Sequence, residues 1–144
     1  MLDESTVKAW ARLVRAQQLL LGRVEGELKA AGLPPLSWYD VLLEVNRGAG
    51  GRLRQYQIGE QVLLSKYNVS RLLDRLQAAG LIDRQLCEED RRGANVAITR
   101  EGKALLRKMW PVYERAIERH FARHLSDPEI GRLAGLLQRL IDAP

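Results

Sequence analysis

The chain has 144 residues, enough for one domain of ordinary size with a true hydrophobic core. It carries 23 Lys and Arg against 18 Asp and Glu, and the net charge of +5 suits a polyanionic partner in sign while staying modest in size. One cysteine excludes an intramolecular disulfide framework, and no apolar run is long enough to span a bilayer. The N-terminus, MLDESTVKAW, has acids where a signal peptide would have basic residues, so a cytoplasmic protein is the expectation.

Residues 5–31 read as one long helix. Val7, Val14, Leu21 and Leu28 recur every seven residues, and Leu13 and Leu20 widen the stripe. At 1.5 Å per residue such a helix runs about 40 Å. That overhangs a domain this small and points to packing against a partner chain. Gly32 to Pro35 is a turn. A second helix opens at Leu36-Ser37, with Ser37 and Asp40 at capping-box spacing and Trp38, Val41, Leu42 and Val45 on one face. Arg52-Leu53-Arg54 is too short for more than a short strand. A third, short helix runs from about Tyr56 to Leu63, with Ile58 and Val62 inward and Gly59 small enough for close crossing with the helix that follows.

That following stretch, SKYNVSRLLDRLQAAG from Ser65 to Gly80, organises the rest. Val69, Leu72, Leu73 and Leu76 form one helical face. Tyr67 and Arg71 point the other way, with Ser70 and Asp74 on one flank and Asn68 and Arg75 on the other. Short hydroxyls, an amide, a ring and guanidinium groups are what read base edges and grip phosphates in a major groove. Ser65 suits an N-cap and Gly80 a C-terminal stop. Two short helices across a tight turn make a helix-turn-helix.

After Gly80 the period changes to two. Ile82 and Leu86 lie on one side of a strand with Arg84 between them, and Val96 and Ile98 alternate on a return strand. The charged loop Glu88 to Gly93 joins them into a hairpin placed like the wing of a winged helix. Thr99 caps the next helix. Pro111 sits inside its pattern, predicting a kink there or two abutting helices. Ser126-Asp127-Pro128-Glu129 opens the last helix with a capping box, and Leu133, Leu136, Leu137, Leu140 and Ile141 follow at helical spacing.

The fold class is therefore mainly α with a small antiparallel β-wing (α+β). One domain spans 1–144: a winged helix-turn-helix reading module at 36–99, its wing at about 81–99, flanked by apolar-faced helices at 5–31 and 100–144, which are the dimerisation helices if the resemblance given next holds.

Two segments, SKYNVSRLLDRLQAAGLIDR (Ser65 to Arg84) and DRRGANVAITREG (Asp90 to Gly102), resemble the MarR (multiple-antibiotic-resistance regulator) family of winged-helix transcriptional regulators. In the second, Asp90, Arg92, Val96, Ile98 and Thr99 match the family's wing pattern, and the order of elements agrees along nearly the whole chain. The resemblance implies a homodimer built from the first and last two helices. It also implies a repressor that binds a pseudo-palindromic operator in double-stranded DNA and is released by a small aromatic or anionic ligand. The candidate DNA-contacting residues are Ser65, Lys66, Tyr67, Asn68, Ser70, Arg71, Arg75, Arg91 and Arg92. Arg92 would enter the minor groove, oriented by Asp90. Tyr67 departs from the small residue usual at that position, and Leu63 stands in place of a turn glycine.

Other readings carry less. Trp10, Trp38, Tyr39 and Arg15 could line a ligand pocket, or fill core and interface. Cys87 on the outgoing wing strand reads as structural, because a thiol switch needs an exposed low-pKa thiolate. His120 and His124, four apart, are half of a metal site or two histidines on a solvated helix; no metal or other cofactor is expected. The sequence holds no glycine-rich phosphate loop, His-Glu-x-x-His or nucleophile elbow, so an enzyme is not expected. The alternative to DNA binding is a winged helix used as a protein-interaction module, which the wing acids Glu88, Glu89 and Asp90 make conceivable.

Overall fold

The computed structural model describes residues 1–62, 66–86 and 94–144; the side chains of Gln61, Lys66, Tyr67 and Leu86 lie outside that description. Helix α1 spans Glu4–Ala30, α2 Leu36–Arg47, α3 Gln55–Gln61, α4 Lys66–Ala78, α5 Arg100–His120 and α6 Asp127–Asp142. Strands β1 (Arg52–Arg54), β2 (Ile82–Leu86) and β3 (Ala94–Ile98) form one antiparallel sheet in the order β1-β3-β2. Val96 sits between Leu53 and Arg84 in that register.

Helix α1 starts because Asp3 accepts the Thr6 amide at 2.7 Å and satisfies one of the first-turn donors. Only Val24 and Leu28 are buried along its length. The N-terminal five turns therefore overhang the core, in line with the long heptad stripe. Gly32, at φ 71°, takes the chain out of α1.

The α2 start corrects the sequence reading. The helix begins at Leu36 with Pro35 before it, so Ser37 already lies inside the first turn and makes no cap. The orphan Leu36 amide is instead taken by Glu25 Oε1 of α1 at 2.8 Å. A cap supplied from another helix has no local spacing to betray it. Inward from there Val41, Leu42 and Val45 are fully buried.

Helices α3 and α4 form the helix-turn-helix. Ile58 and Val62 point inward as expected, and α3 ends at Gln61 rather than Leu63. A Cβ built on Gly59 meets nothing within 4 Å among the described residues, so close crossing does not demand glycine there. The turn itself, Leu63 to Ser65, lies outside the described residues.

Helix α4 ends in a Schellman motif. Gly80, at φ 76°, donates to Gln77 O at 2.9 Å, and the Leu81 amide reaches Leu76 O at 2.9 Å. Thr99 then binds this corner: its amide donates to Leu81 O at 3.1 Å and its Oγ1 to Gly80 O at 2.7 Å. The same Oγ1 accepts the Gly102 amide and caps α5.

Helix α5 runs unbroken from Arg100 to His120 with Pro111 inside it, not as two abutting helices. Pro111 and Arg107 both face solvent, so the carbonyl that loses its intrahelical donor is open to water. Phe121 falls just past its end. Ser126 and Glu129 make the expected reciprocal cap on α6. None of the 16 described residues of α6 is buried within the chain.

Candidate nucleic-acid interface

The inner face of α4 is Val69, Leu72, Leu73 and Leu76, each less than a tenth exposed. This row anchors the helix in the core and forces the opposite face outward. Asn68, Ser70, Arg71, Asp74 and Arg75 are all exposed there. Lys66 and Tyr67 are in the first turn of α4. Ser65, Asp90, Arg91 and Arg92 fall outside the described residues, as does Cys87. The structure thus brings together Asn68, Ser70, Arg71 and Arg75 on one solvent-facing surface.

One connection in this region was not foreseen. Arg84 on β2 donates from Nε to Gln77 Oε1 at 2.6 Å and from Nη2 to Asp74 Oδ1 at 2.5 Å. It ties the first wing strand to the back flank of α4. A sequence signal existed: Arg84 shares its alternating strand face with Ile82 and Leu86. A cation on an otherwise apolar face needs an acceptor nearby.

Of the four residues proposed for a ligand pocket, Trp10 lines a described groove. Trp10 lies in an apolar groove of about 710 Å³ between α1 and α6, with Leu13, Leu20, Phe121, Leu133 and Leu137. Trp38, Tyr39 and Arg15 do not line that groove. Tyr39 instead joins a cluster with two α5 rings missed by sequence reasoning: Trp110 stacks on it at 6.3 Å between centroids and Tyr113 meets it edge-on at 5.3 Å. Burial raises the Tyr113 and Tyr39 hydroxyls above their usual pKa, and the nearby Asp40 carboxylate adds to it. Asp40 is itself raised, first by burial and then by repulsion from Glu25 and Glu44.

His120 and His124 also go separate ways. His120 Nε2 lies 2.7 Å from Glu27 Oε2, whose Oε1 takes Arg119 at 2.6 Å. His124 Nε2 sits 3.1 Å from Arg119 O. Among the described residues no group of three or more His, Cys, Asp or Glu is placed to hold a metal ion, and no helix is long and apolar enough to cross a membrane.

A helix-turn-helix followed by a wing and framed by long helices matches known proteins. The family model described as MarR family matches residues 31–93, which run from the α1–α2 turn to the residue before β3. The chain is 26% identical over 139 residues to the HTH-type transcriptional regulator MhqR of Bacillus subtilis (strain 168), covering 96% of this chain and 93% of that protein. Over residues 31–93 the chain is similar to the MarR family. MarR-family structures superpose over its full length. AbsC, a MarR family transcriptional regulator from Streptomyces coelicolor, is 27% identical with a TM-score of 0.86, covering 99% of this chain and 95% of its own. Sco3205, a MarR family regulator from the same organism solved in complex with DNA, is 21% identical with a TM-score of 0.89, covering 100% and 95%. These MarR relatives are transcriptional regulators.

Proposed function

We propose that the chain is a DNA-binding transcriptional regulator, a repressor that engages a pseudo-palindromic operator as a homodimer in the cytoplasm. The observation that carries this reading is the outward face of α4: Asn68, Ser70, Arg71 and Arg75 stand exposed on a helix whose other side is locked into the core. In a helix-turn-helix that face lies in the major groove, where Arg71 and Asn68 reach base edges or phosphates. Lys66, Tyr67 and Ser65 extend the contact at the helix start. Arg91 and Arg92 serve the minor groove, with Asp90 orienting the latter.

Two copies fit the remaining surface. Helix α6 buries nothing of its own, and Leu136, Leu140 and Ile141 are each more than half exposed, as is Trp10 on α1. Apolar exposure of this kind on two adjoining helices is covered in a stable soluble protein. The segments 5–31 and 100–144 are therefore the dimerisation helices and 36–99 the reading unit. Two-fold symmetry then sets the half-sites about one helical turn apart, roughly 34–36 Å.

A small-molecule effector completes the proposal. The cluster of Tyr39, Trp110 and Tyr113 joins α2 of the reading unit to α5 of the dimer helices, so a ligand there could favour one lobe spacing over another. The test of the whole reading is selection of bound duplexes from a random pool. The expected product is an inverted repeat bound by two chains, with affinity falling by orders of magnitude between about 50 and 200 mM salt. Recovery of unrelated sequences would remove the reading.

A further inference from the structure

We propose that Glu25 is a positioning residue that fixes the angle between the dimerisation helices and the reading unit. Its carboxylate straps α1 to the first amide of α2 across the turn that joins them. The proposal rests on the DNA-binding dimer described above and names the contact that sets the spacing of its two recognition helices.

Three observations carry it. First, the bond bridges two units that the chain itself joins only by a turn. The Leu36 amide donates to Glu25 Oε1 at 2.8 Å, eleven positions earlier. Glu25 lies on α1, and Leu36 opens α2. Pro35 has no side-chain acceptor to cap α2, and Leu36 is buried. The amide therefore depends on Glu25 for its partner. A carboxylate at this end of α2 also meets the positive pole of the helix, which strengthens the tie. Beyond it Val41, Leu42 and Val45 share one core with Leu72, Leu73 and Leu76 of α4, so the angle at the strap is passed on to the recognition helix.

Second, side-chain packing leaves the inner side of this joint open. Helix α1 closes on itself, with the Gly32 amide donating to Lys29 O at 3.0 Å and the Leu33 amide to Leu28 O at 2.9 Å. A cavity of about 320 Å³ lies in the crook, lined by Glu25, Gly26, Lys29, Leu33, Pro34 and Pro35. A Cβ built on Gly26 meets nothing within 4 Å among the described residues. Close packing that would resist bending is missing on that side. Tyr39, one turn into α2, does meet Trp110 and Tyr113 of α5. Ring contacts tolerate sliding, whereas a hydrogen bond sets both length and direction.

Third, the strap stands against electrostatic opposition. Asp40 on α2 is held above the ordinary carboxylate range by burial and then by repulsion from Glu25 and Glu44. A Glu25 side chain turned out to solvent would relieve that repulsion. The bond to Leu36 is what keeps it in place.

The test reads spacing and binding separately. Spin labels are placed at Ala78→Cys, exposed near the end of α4, in a Cys87→Ser background. The distance between the two labels of the dimer is measured by pulsed electron paramagnetic resonance without DNA. Affinity for a selected duplex is measured well below the melting temperature, and melting is recorded alongside. Glu25→Ala should broaden the distance distribution and weaken binding by about tenfold. Glu25→Gln keeps the acceptor and should restore most of both. A cap with no positioning role would lower the melting temperature of Glu25→Ala and leave distances and affinity at wild type, which overturns the proposal. Glu25→Gln that matches Glu25→Ala in distance and affinity also overturns it. Failure of the underlying reading looks different: wild type then shows no distance between labels, or Arg71→Ala, run in parallel, binds the duplex as wild type does. Either result removes the strap together with the reading it rests on.

Discussion

Thr99 Oγ1 donates a 2.7 Å hydrogen bond to the carbonyl oxygen of Gly80, nineteen positions earlier in the chain. This one hydroxyl joins the end of the recognition helix to the start of α5, whose first turn it also caps through the Gly102 amide at 3.0 Å. Thr99→Val removes both bonds while keeping the shape. Loss of a cap costs about 0.5–2 kcal/mol, and the Gly80 bond adds about 1 kcal/mol. Urea denaturation should show a fall of about 1–3 kcal/mol with an unchanged slope.

Gly102 and Gly59 form a matched pair of opposite sign. A Cβ on Gly102 would lie 2.3 Å from Leu81 O and 2.7 Å from Ile98 Cγ1. The α5 start cannot then sit against the Leu81 corner without shifting. Gly102→Ala should cost about 1–3 kcal/mol by overpacking. Gly59→Ala meets nothing within 4 Å among the described residues and should gain up to about 1 kcal/mol from helix propensity. Denaturation midpoints of the two variants moving in the same direction would contradict this contrast.

Asp40 gives a pH dependence with a definite sign. Burial, then Glu25 and Glu44, hold its folded-state pKa above the ordinary 3.8. The folded state therefore favours the protonated acid. Its contribution is fully present below that ordinary value and is lost as pH rises through the raised one. Asp40→Asn should accordingly melt higher than wild type at neutral pH. The advantage should vanish when both are melted below the ordinary carboxylate value.

Leu140 tests the dimer face. It is 64% exposed on α6. In a monomer Leu140→Glu is a surface change worth within about 0.5 kcal/mol. In a dimer it buries a charge against apolar partners. Sedimentation at micromolar concentration should show a shift from two chains to one, with DNA affinity falling in parallel. A variant that sediments as wild type would place the interface elsewhere.

Much of this architecture was legible because helical faces are written locally. Val69, Leu72, Leu73 and Leu76 fix the buried side of α4, and with it the exposed side, from four positions in eight residues. Thr99 and Ser126 announce the helices that follow them by cap chemistry alone. What stayed hidden was non-local. Residues 52–54 gave no sign that they would pair with β3, since three residues carry no period. The acceptor for Leu36 came from Glu25 on another helix, so the local Ser37–Asp40 spacing misled. Tyr39 meets Trp110 and Tyr113 from the far end of the chain. Arg84 alone left a trace, as a cation sharing a strand face with Ile82 and Leu86.

The central claim is that two copies of the α4 outer face read a specific duplex. Its most direct test is a titration of the selected duplex and a scrambled one with wild type and with Arg71→Ala, at about physiological salt. Wild type should prefer the selected duplex by about a thousandfold or more, at two chains per duplex. Arg71→Ala should lose about 1–3 kcal/mol on that duplex and discriminate less. Equal wild-type affinity for both duplexes, or an Arg71→Ala curve that overlays the wild type, would contradict it.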